Sequence, residues 1–349
     1  MKALLTIALD AMGGDSAPRI VVRGANIARR RYPDVRFRLF GDERRIAPLL
    51  KRMPKLRRAI AIVHTEEVVT DDDKPSHALR QGKRSSMRLA INAVRDGEAE
   101  GVVSAGNTGA LMAMAKFTLK TLPGIDRPAI AAVFPNYRSE SVMLDLGANV
   151  ECNADNLIQF AVMGSEFGRS VLGLENPSVG LLNVGTEEVK GHEAVRQAAA
   201  ILREDNAGIR YHGFVEGDDI AMGTVDVIVS DGFSGNIALK TIEGSVKLYA
   251  EFMRKAFKSS VSSRLGYMLA RRSLNKMRAR VDPRRYNGAM FLGLNGNVVK
   301  SHGSTDAFGF ANAIGVAVDM AAHRFNEKIT AQLDRGSLSM PVRTRAAAS

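Results

Sequence analysis

Short apolar runs alternate with amphipathic stretches of helical length along the whole chain. The runs fall at 5–9, 36–40, 60–64, 101–104, 129–134, 141–145, 179–183, 225–230 and 290–294, and each predicts a buried strand. Strands spaced by helix-length segments predict a mostly parallel sheet with crossover helices, so the fold class is α/β. Glycine-rich turns follow five of the runs: Ala11-Met-Gly-Gly-Asp15, Ser104-Ala-Gly-Asn-Thr-Gly109, Asp145-Leu-Gly-Ala-Asn149, Asn183-Val-Gly-Thr-Glu-Glu-Val-Lys-Gly191 and Asp231-Gly-Phe-Ser-Gly-Asn236. In a parallel sheet the loops after the strands gather along one edge, where open α/β folds bind ligands, so all five turns are expected there. Helical spacing runs up to Lys258 and resumes over 262–280, with Pro283 closing it, as an excursion from the sheet. The pattern therefore predicts one catalytic domain over 1–335 with a protruding helical arm at about 246–286. The Ser-, Arg- and Ala-rich stretch 336–349 is expected to be a disordered tail.

Composition narrows the function classes. The 349 residues are 45% hydrophobic, enough for an ordinary packed core. The single cysteine, Cys152, excludes an intrachain disulfide and a multi-cysteine zinc site and fits a reducing cytoplasm. The apolar opening at 4–9 is closed by Asp10 and reads as a strand, not a signal peptide. No apolar run approaches the roughly 18 residues that suggest a membrane span. Charge changes the picture more. Against a formal net charge of +12 for the chain, the segment 246–286 holds twelve Lys and Arg and only two acidic residues. Such a patch attracts a polyanion: nucleic acid, anionic lipid or an acidic protein.

A glycine-rich turn that opens a helix presents backbone N–H groups and the positive end of the helix dipole, which suits phosphate. The candidate phosphate- and substrate-binding residues are accordingly Asp10, Gly13, Gly14, Asp15, Asn107, Thr108, Asp145, Asn149, Asn183, Gly185, Glu187 and Gly232. Neither GxxxxGK[ST] nor GxGxxG occurs, which argues against nucleotide sites. Lys190 lies just before a predicted helix and can hold phosphate or a carbonyl oxyanion; its alternative is a surface pair with Glu187 or Glu188. His302, in a polar turn ahead of a helix predicted at 307–325, can donate a proton or hydrogen bond. Asp231 and Asn236 complete the catalytic candidates, with turn formation or helix capping as the alternative for Asp231. Cys152 has no histidine within ten residues and reads as structural. Ser234 lacks the GxSxG spacing of a nucleophile elbow. Direct attack by a bound second substrate is thus simpler than an acyl-enzyme.

Six motifs in order resemble one family. They are Asp10-Ala-Met-Gly-Gly-Asp15, Ser104-Ala-Gly-Asn-Thr-Gly-Ala110, Leu144-Asp-Leu-Gly-Ala-Asn149, Leu182-Asn-Val-Gly-Thr-Glu-Glu188 with Lys190-Gly191, Val229-Ser-Asp-Gly-Phe-Ser-Gly-Asn236 and Ser301-His-Gly303. Together they resemble the acyl-acyl-carrier-protein:phosphate acyltransferases of bacterial phospholipid synthesis, over nearly the whole chain. The resemblance implies a three-layer α/β/α fold like that of isocitrate and isopropylmalate dehydrogenases, shared with phosphotransacetylases. It also implies a homodimer, no metal and no organic cofactor, and a reaction in which phosphate and acyl-acyl carrier protein give acyl phosphate and free carrier thiol. The stretch 271–285 and the tail carry none of these motifs.

Rival functions are a phosphotransacetylase acting on acyl-coenzyme A, a metal-dependent decarboxylating dehydrogenase on the same fold, and a nucleic-acid-binding protein using the basic segment. The last lacks any helix-turn-helix, zinc or RNA-recognition signature, so no nucleic-acid partner is expected. In the arm, Val246, Tyr249, Phe252, Met253 and Phe257 recur at helical spacing, and Val261, Leu265, Met268 and Leu269 resume it. Lys258, Arg264, Arg271 and Arg272 lie among them, which predicts an amphipathic cationic arm that meets acyl carrier protein and the anionic membrane face. The alternative is a dimer-forming helix pair with a solvated face. The expected location is the cytoplasm, with reversible membrane association.

Overall fold

The computed structural model describes residues 5–204 and 208–335, so the predicted tail at 336–349 lies outside the described residues. Eleven strands form one sheet: β1 Thr6–Asp10, β2 Arg36–Gly41, β3 Ile60–His64, β4 Gly101–Ser104, β5 Ala129–Pro135, β6 Glu140–Leu144, β7 Ser178–Leu182, β8 Arg210–Val215, β9 Val227–Val229, β10 Ala289–Leu292 and β11 Asn297–Lys300. Their order across the sheet is β3-β2-β1-β4-β11-β10-β5-β6-β9-β7-β8. All nine predicted runs are strands, and two strands carry no comparable run. β8 reads Arg-Tyr-His-Gly-Phe-Val, and β11 has only Val298 and Val299 between Asn297 and Lys300.

Helices cover both faces. On one, Arg19–Arg31, Ala154–Leu172 and Ala307–Ala322 bury Val22, Phe160 and Ile314 in the main core. On the other, Ser86–Arg95 and Thr108–Leu119 bury Ile91 and Leu111 against β1, β4 and β11. Alternation of side chains along the strands supplies both cores: Ile7 and Leu9 face one, and Ala8 faces the other.

The sheet is not parallel throughout, and this corrects the one-edge expectation. β3, β2, β1, β4 and β11 run together, and β6, β9, β7 and β8 run together. Between the groups, the pairings β11–β10, β10–β5 and β5–β6 are all antiparallel. Three reversals leave the second group running opposite to the first. The turns after β1, β4 and β11 therefore meet at one edge, here called the upper rim, and those after β6, β7 and β9 at the opposite, lower rim.

The helix Gly232–Lys258 starts at the lower rim and packs Ala238, Leu239 and Ile242 against Phe134 and Met143. At ~1.5 Å per residue its 27 residues span roughly 40 Å. Its far part buries nothing, and neither does the following helix, Val261–Arg280. The two join at Ser259 and Ser260 and touch through Phe257 and Tyr267, whose ring centroids are 5.3 Å apart. Arg280 then donates to the carbonyls of Asn136 and Tyr137, in the turn between β5 and β6, at 3.3 and 3.0 Å. That turn belongs to the upper edge, so the helical hairpin projects past the upper rim. No helix among the described residues is long and apolar enough to cross a membrane.

Candidate active site

At the upper rim the chain's own backbones converge. Asp10, the last residue of β1, is buried and accepts from Ser86 Oγ and Ser104 Oγ, both at 2.7 Å, and from the Met12 N–H at 3.2 Å. Burial pushes its carboxyl above the usual range, and those hydrogen bonds oppose the shift. Gly13 sits so close to the β4 turn that a Cβ there would lie 2.6 Å from both Gly106 N and Asp10 Oδ2. Gly14 has φ +96°, a conformation that favours glycine, and the Asp15 N–H donates to Gly303 O at 3.1 Å. The turn after β1 thus packs its backbone directly against the turns after β4 and β11.

Asn107 is a structural member of this rim. Its Oδ1 caps the helix Thr108–Leu119 through Ala110 N at 3.0 Å, and its Nδ2 donates to the carbonyls of Thr70, Asp71 and Asp73. Thr108 stands exposed at the first turn of that helix. His302 is exposed; its N–H donates to Asn287 Oδ1 at 2.9 Å, and its Nδ1 lies 3.0 Å from Ser304 Oγ. No hydrogen bond to its Nε2 is formed within the described residues, so that nitrogen is open to a substrate.

Sequence reasoning passed over Lys300, which ends β11 beside Ser104 of β4. Its Nζ donates to Ala105 O at 3.4 Å and to Ser301 O. Burial depresses its pKa to about 8, while Asp71, Asp10 and Asp15 pull in the other direction from a distance. The only sequence signal was its position next to the Ser301-His-Gly303 motif, at the end of a strand too short to be seen.

The lower rim holds the remaining candidates. Asp145, fully buried after β6, accepts from the N–H groups of Ile130, Gly147, Ala148 and Asn149 and from Asn149 Nδ2. Asn149 Nδ2 also donates to Pro128 O at 2.8 Å. Asp231 caps the helix Gly232–Lys258 through Ser234 N at 2.7 Å, and Asn236 donates to Leu146 O at 3.0 Å. Gly232 and Gly235 let that helix abut the Asp145 turn; a Cβ on Gly235 would lie 1.9 Å from Asp145 O. Asn183 folds its loop by donating to Gly185 O and Lys190 O, both at 3.1 Å. Lys190 is exposed and pairs with Glu187 at 3.1 Å. The Glu187 carboxyl is held low by its own backbone N–H and by Lys190.

Cys152 also lies here, 3.8 Å from Asn149 O, and burial with the nearby Asp145 and Asp231 pushes its thiol up to about 12. It is a protonated, poor nucleophile at neutral pH. The arm residues Lys258, Arg264, Leu265, Met268, Leu269, Arg271 and Arg272 are all exposed and stand away from both rims on the hairpin. Among the described residues, no group of three or more His, Cys, Asp or Glu could hold a metal ion.

The upper rim brings the half-buried Lys300 ammonium and three interlocked turns to the same edge as an exposed imidazole. The lower rim offers an exposed lysine on a tightly braced loop. In one chain the sheet separates the two.

Relatives place this arrangement in a family. Phosphate acyltransferases from Paramagnetospirillum magneticum and Rhodospirillum centenum are 60% and 65% identical over 335 residues, covering 96% of this chain and 95% and 94% of theirs. A phosphotransacetylase from Streptococcus pyogenes, 19% identical, superposes with a TM-score of 0.64 over 92% of this chain and 95% of that one, so the fold is shared. Residues 5–328 match the family described as fatty acid synthesis protein. A match from the start of β1 into the last helix, with identity of this depth, makes the chain a member of the fatty acid synthesis protein family.

Proposed function

We propose that the chain is a phosphate acyltransferase that moves a long-chain acyl group from the thioester of acyl carrier protein to inorganic phosphate. The observation that carries this is 60% and 65% identity to phosphate acyltransferases along nearly the whole chain. The upper rim suits the chemistry. A phosphate oxygen attacks the thioester carbonyl carbon, the carbonyl becomes an oxyanion, and the C–S bond breaks to give acyl phosphate and the carrier thiolate. Holding phosphate in the interlocked turns supplies proximity, and His302 Nε2 is placed to donate a hydrogen bond to the oxyanion or a proton to the thiolate. A thiol of pKa near ~8.5 leaves readily, so a strong general acid is dispensable. Phosphate already carries its charge, and the reaction calls on no metal or organic cofactor.

Lys190, Asp231 and Asn236 lie at the lower rim, so a site using them together with His302 draws residues from two chains. A homodimer provides this, and the long helix Gly232–Lys258 suits such an interface. Phe233, Ile237, Leu248, Tyr249 and Phe252 stand exposed along it. The continuous sheet supports one catalytic domain over 1–335. Its two opposed parallel halves support the isocitrate/isopropylmalate dehydrogenase-like class.

The hairpin serves as the arm. Val261, Leu265, Met268 and Leu269 are exposed at its tip among Lys258, Arg264, Arg271 and Arg272, which suits acyl carrier protein and the anionic cytoplasmic face of the membrane. Reversible membrane association of a cytoplasmic enzyme follows.

The test is to incubate the purified protein with labelled phosphate and palmitoyl-acyl carrier protein and to trap the product with hydroxylamine. Labelled, hydroxylamine-sensitive acyl phosphate is expected. Product from palmitoyl-coenzyme A alone would replace this reading with that of a phosphotransacetylase-like enzyme.

A further inference from the structure

An ammonium drawn partly out of water ordinarily has a carboxylate beside it, because an uncompensated charge is costly there. Lys300, half-buried at the end of β11, has none within 4.0 Å among the described residues. The acidic groups that face it are Asp10 and Asp15, on β1 and its turn, and Asp71, in the loop that Asn107 fastens to the β4 turn. Asp10 is already engaged by two hydroxyls and an amide. The Lys300 ammonium touches only two neutral carbonyls, Ala105 O and Ser301 O, which leaves one of its three N–H groups without a partner and its charge met only at longer range by Asp71, Asp10 and Asp15. Those two carbonyls belong to the turns after β4 and β11, and Gly14 of the β1 turn packs against both of these turns. A Cβ on Gly14 would lie 3.0 Å from Ala105 Cβ and 3.1 Å from Gly303 O. Lys190, the lysine of the lower rim's loop, is instead paired with Glu187 in solvent.

We propose that Lys300 is the catalytic residue that receives inorganic phosphate, its ammonium completing an anion cradle built from the three upper-rim turns. The assignment rests on the phosphate acyltransferase reading and names the group that holds the nucleophile. A bound dianion supplies a countercharge in direct contact and keeps the lysine protonated. In the free protein the ammonium is lost as the pH rises through about 8, so phosphate binding weakens on the alkaline side.

The first experiment needs no turnover. The wild-type protein is acetylated with limiting acetic anhydride at pH 7.5, with and without millimolar inorganic phosphate at constant ionic strength, and labelling of each lysine is read by mass spectrometry. Phosphate is expected to suppress labelling of Lys300 by about tenfold or more while the arm lysines are unaffected. Unchanged labelling of Lys300 overturns the assignment, and it leaves the functional reading standing if the same preparation makes acyl phosphate. Protection of Lys300 with no acyl phosphate from either thioester sinks the functional reading and keeps the anion site.

The second experiment is kinetic. Lys300→Met is expected to lower kcat/KM for phosphate by about 100-fold or more with KM for acyl carrier protein little changed. Lys300→Arg, which stays charged, is expected to remove the alkaline fall in kcat/KM for phosphate between pH 7 and pH 10. A fall with the same midpoint in Lys300→Arg, or a Lys300→Met defect confined to the carrier-protein KM, overturns the assignment.

Discussion

At the upper rim, glycines let three turns pack backbone on backbone beside a half-buried ammonium whose hydrogen bonds go only to carbonyls; at the lower rim, they let a helix press on a carboxylate whose five hydrogen bonds are all made within the chain. Gly13 and Gly14 let the turns after β1, β4 and β11 abut, and Gly232 and Gly235 let a helix abut the turn after β6. Both sets look alike as sequence. The difference lies in what stands beside the turns: an ammonium with no carboxylate in contact at the upper rim, and at the lower rim a fully hydrogen-bonded carboxylate that acts as a brace. What the lower rim still offers to a ligand is its solvent-facing loop, where Lys190 pairs with Glu187.

The comparison is most exposed to test at Asp145. Asp145→Ala leaves the N–H groups of Ile130, Gly147, Ala148 and Asn149 without their acceptor and should lower stability by about 3 to 5 kcal/mol in urea denaturation. A loss under about 1 kcal/mol would show that the lower rim is not the brace described here. Lys190→Ala sharpens the contrast in catalysis. If the lower rim of one chain serves the upper rim of another, kcat/KM should fall by the equivalent of roughly 2 to 4 kcal/mol. A change below about threefold, with the fold intact, leaves Lys190 as a surface ion pair.

The hairpin tests whether rim chemistry and the proposed surface attachment are separate. Leu265→Glu with Met268→Glu should abolish sedimentation with anionic vesicles at low salt while the proposed dimer and phosphate-dependent turnover persist, because both residues are exposed on the helix Val261–Arg280 and not in either rim. Each basic residue near an anionic surface contributes on the order of 1 kcal/mol, so raised salt should release the parent protein as well. A double variant that still sediments like its parent would return the patch to acyl carrier protein alone. The smallest effect is expected at Cys152. With its thiol pushed up to about 12, Cys152→Ser should keep activity within about twofold, and an isolable acylated Cys152 would overturn direct attack by phosphate.

Burial periodicity made most of the scaffold legible, since nine apolar runs marked nine strands and the two helices of the hairpin followed their spacing. The turn residues were legible too, because a glycine before a helix is a local requirement and leaves a local mark. Their work was not. Asn107, a phosphate candidate by sequence, is spent on a helix cap and three carbonyls of the loop 70–73, partners that lie more than thirty residues away. Lys300 was missed because β11 is four residues long and gains its place from pairing with β4 and β10 rather than from its own pattern. Nor did any local signal separate the rims. That division comes from three antiparallel pairings at the centre of the sheet. Hydropathy records whether a residue is buried, but the direction in which its strand crosses the sheet is decided by which long-range partners it packs against. On that direction depends which charges end up sharing an edge.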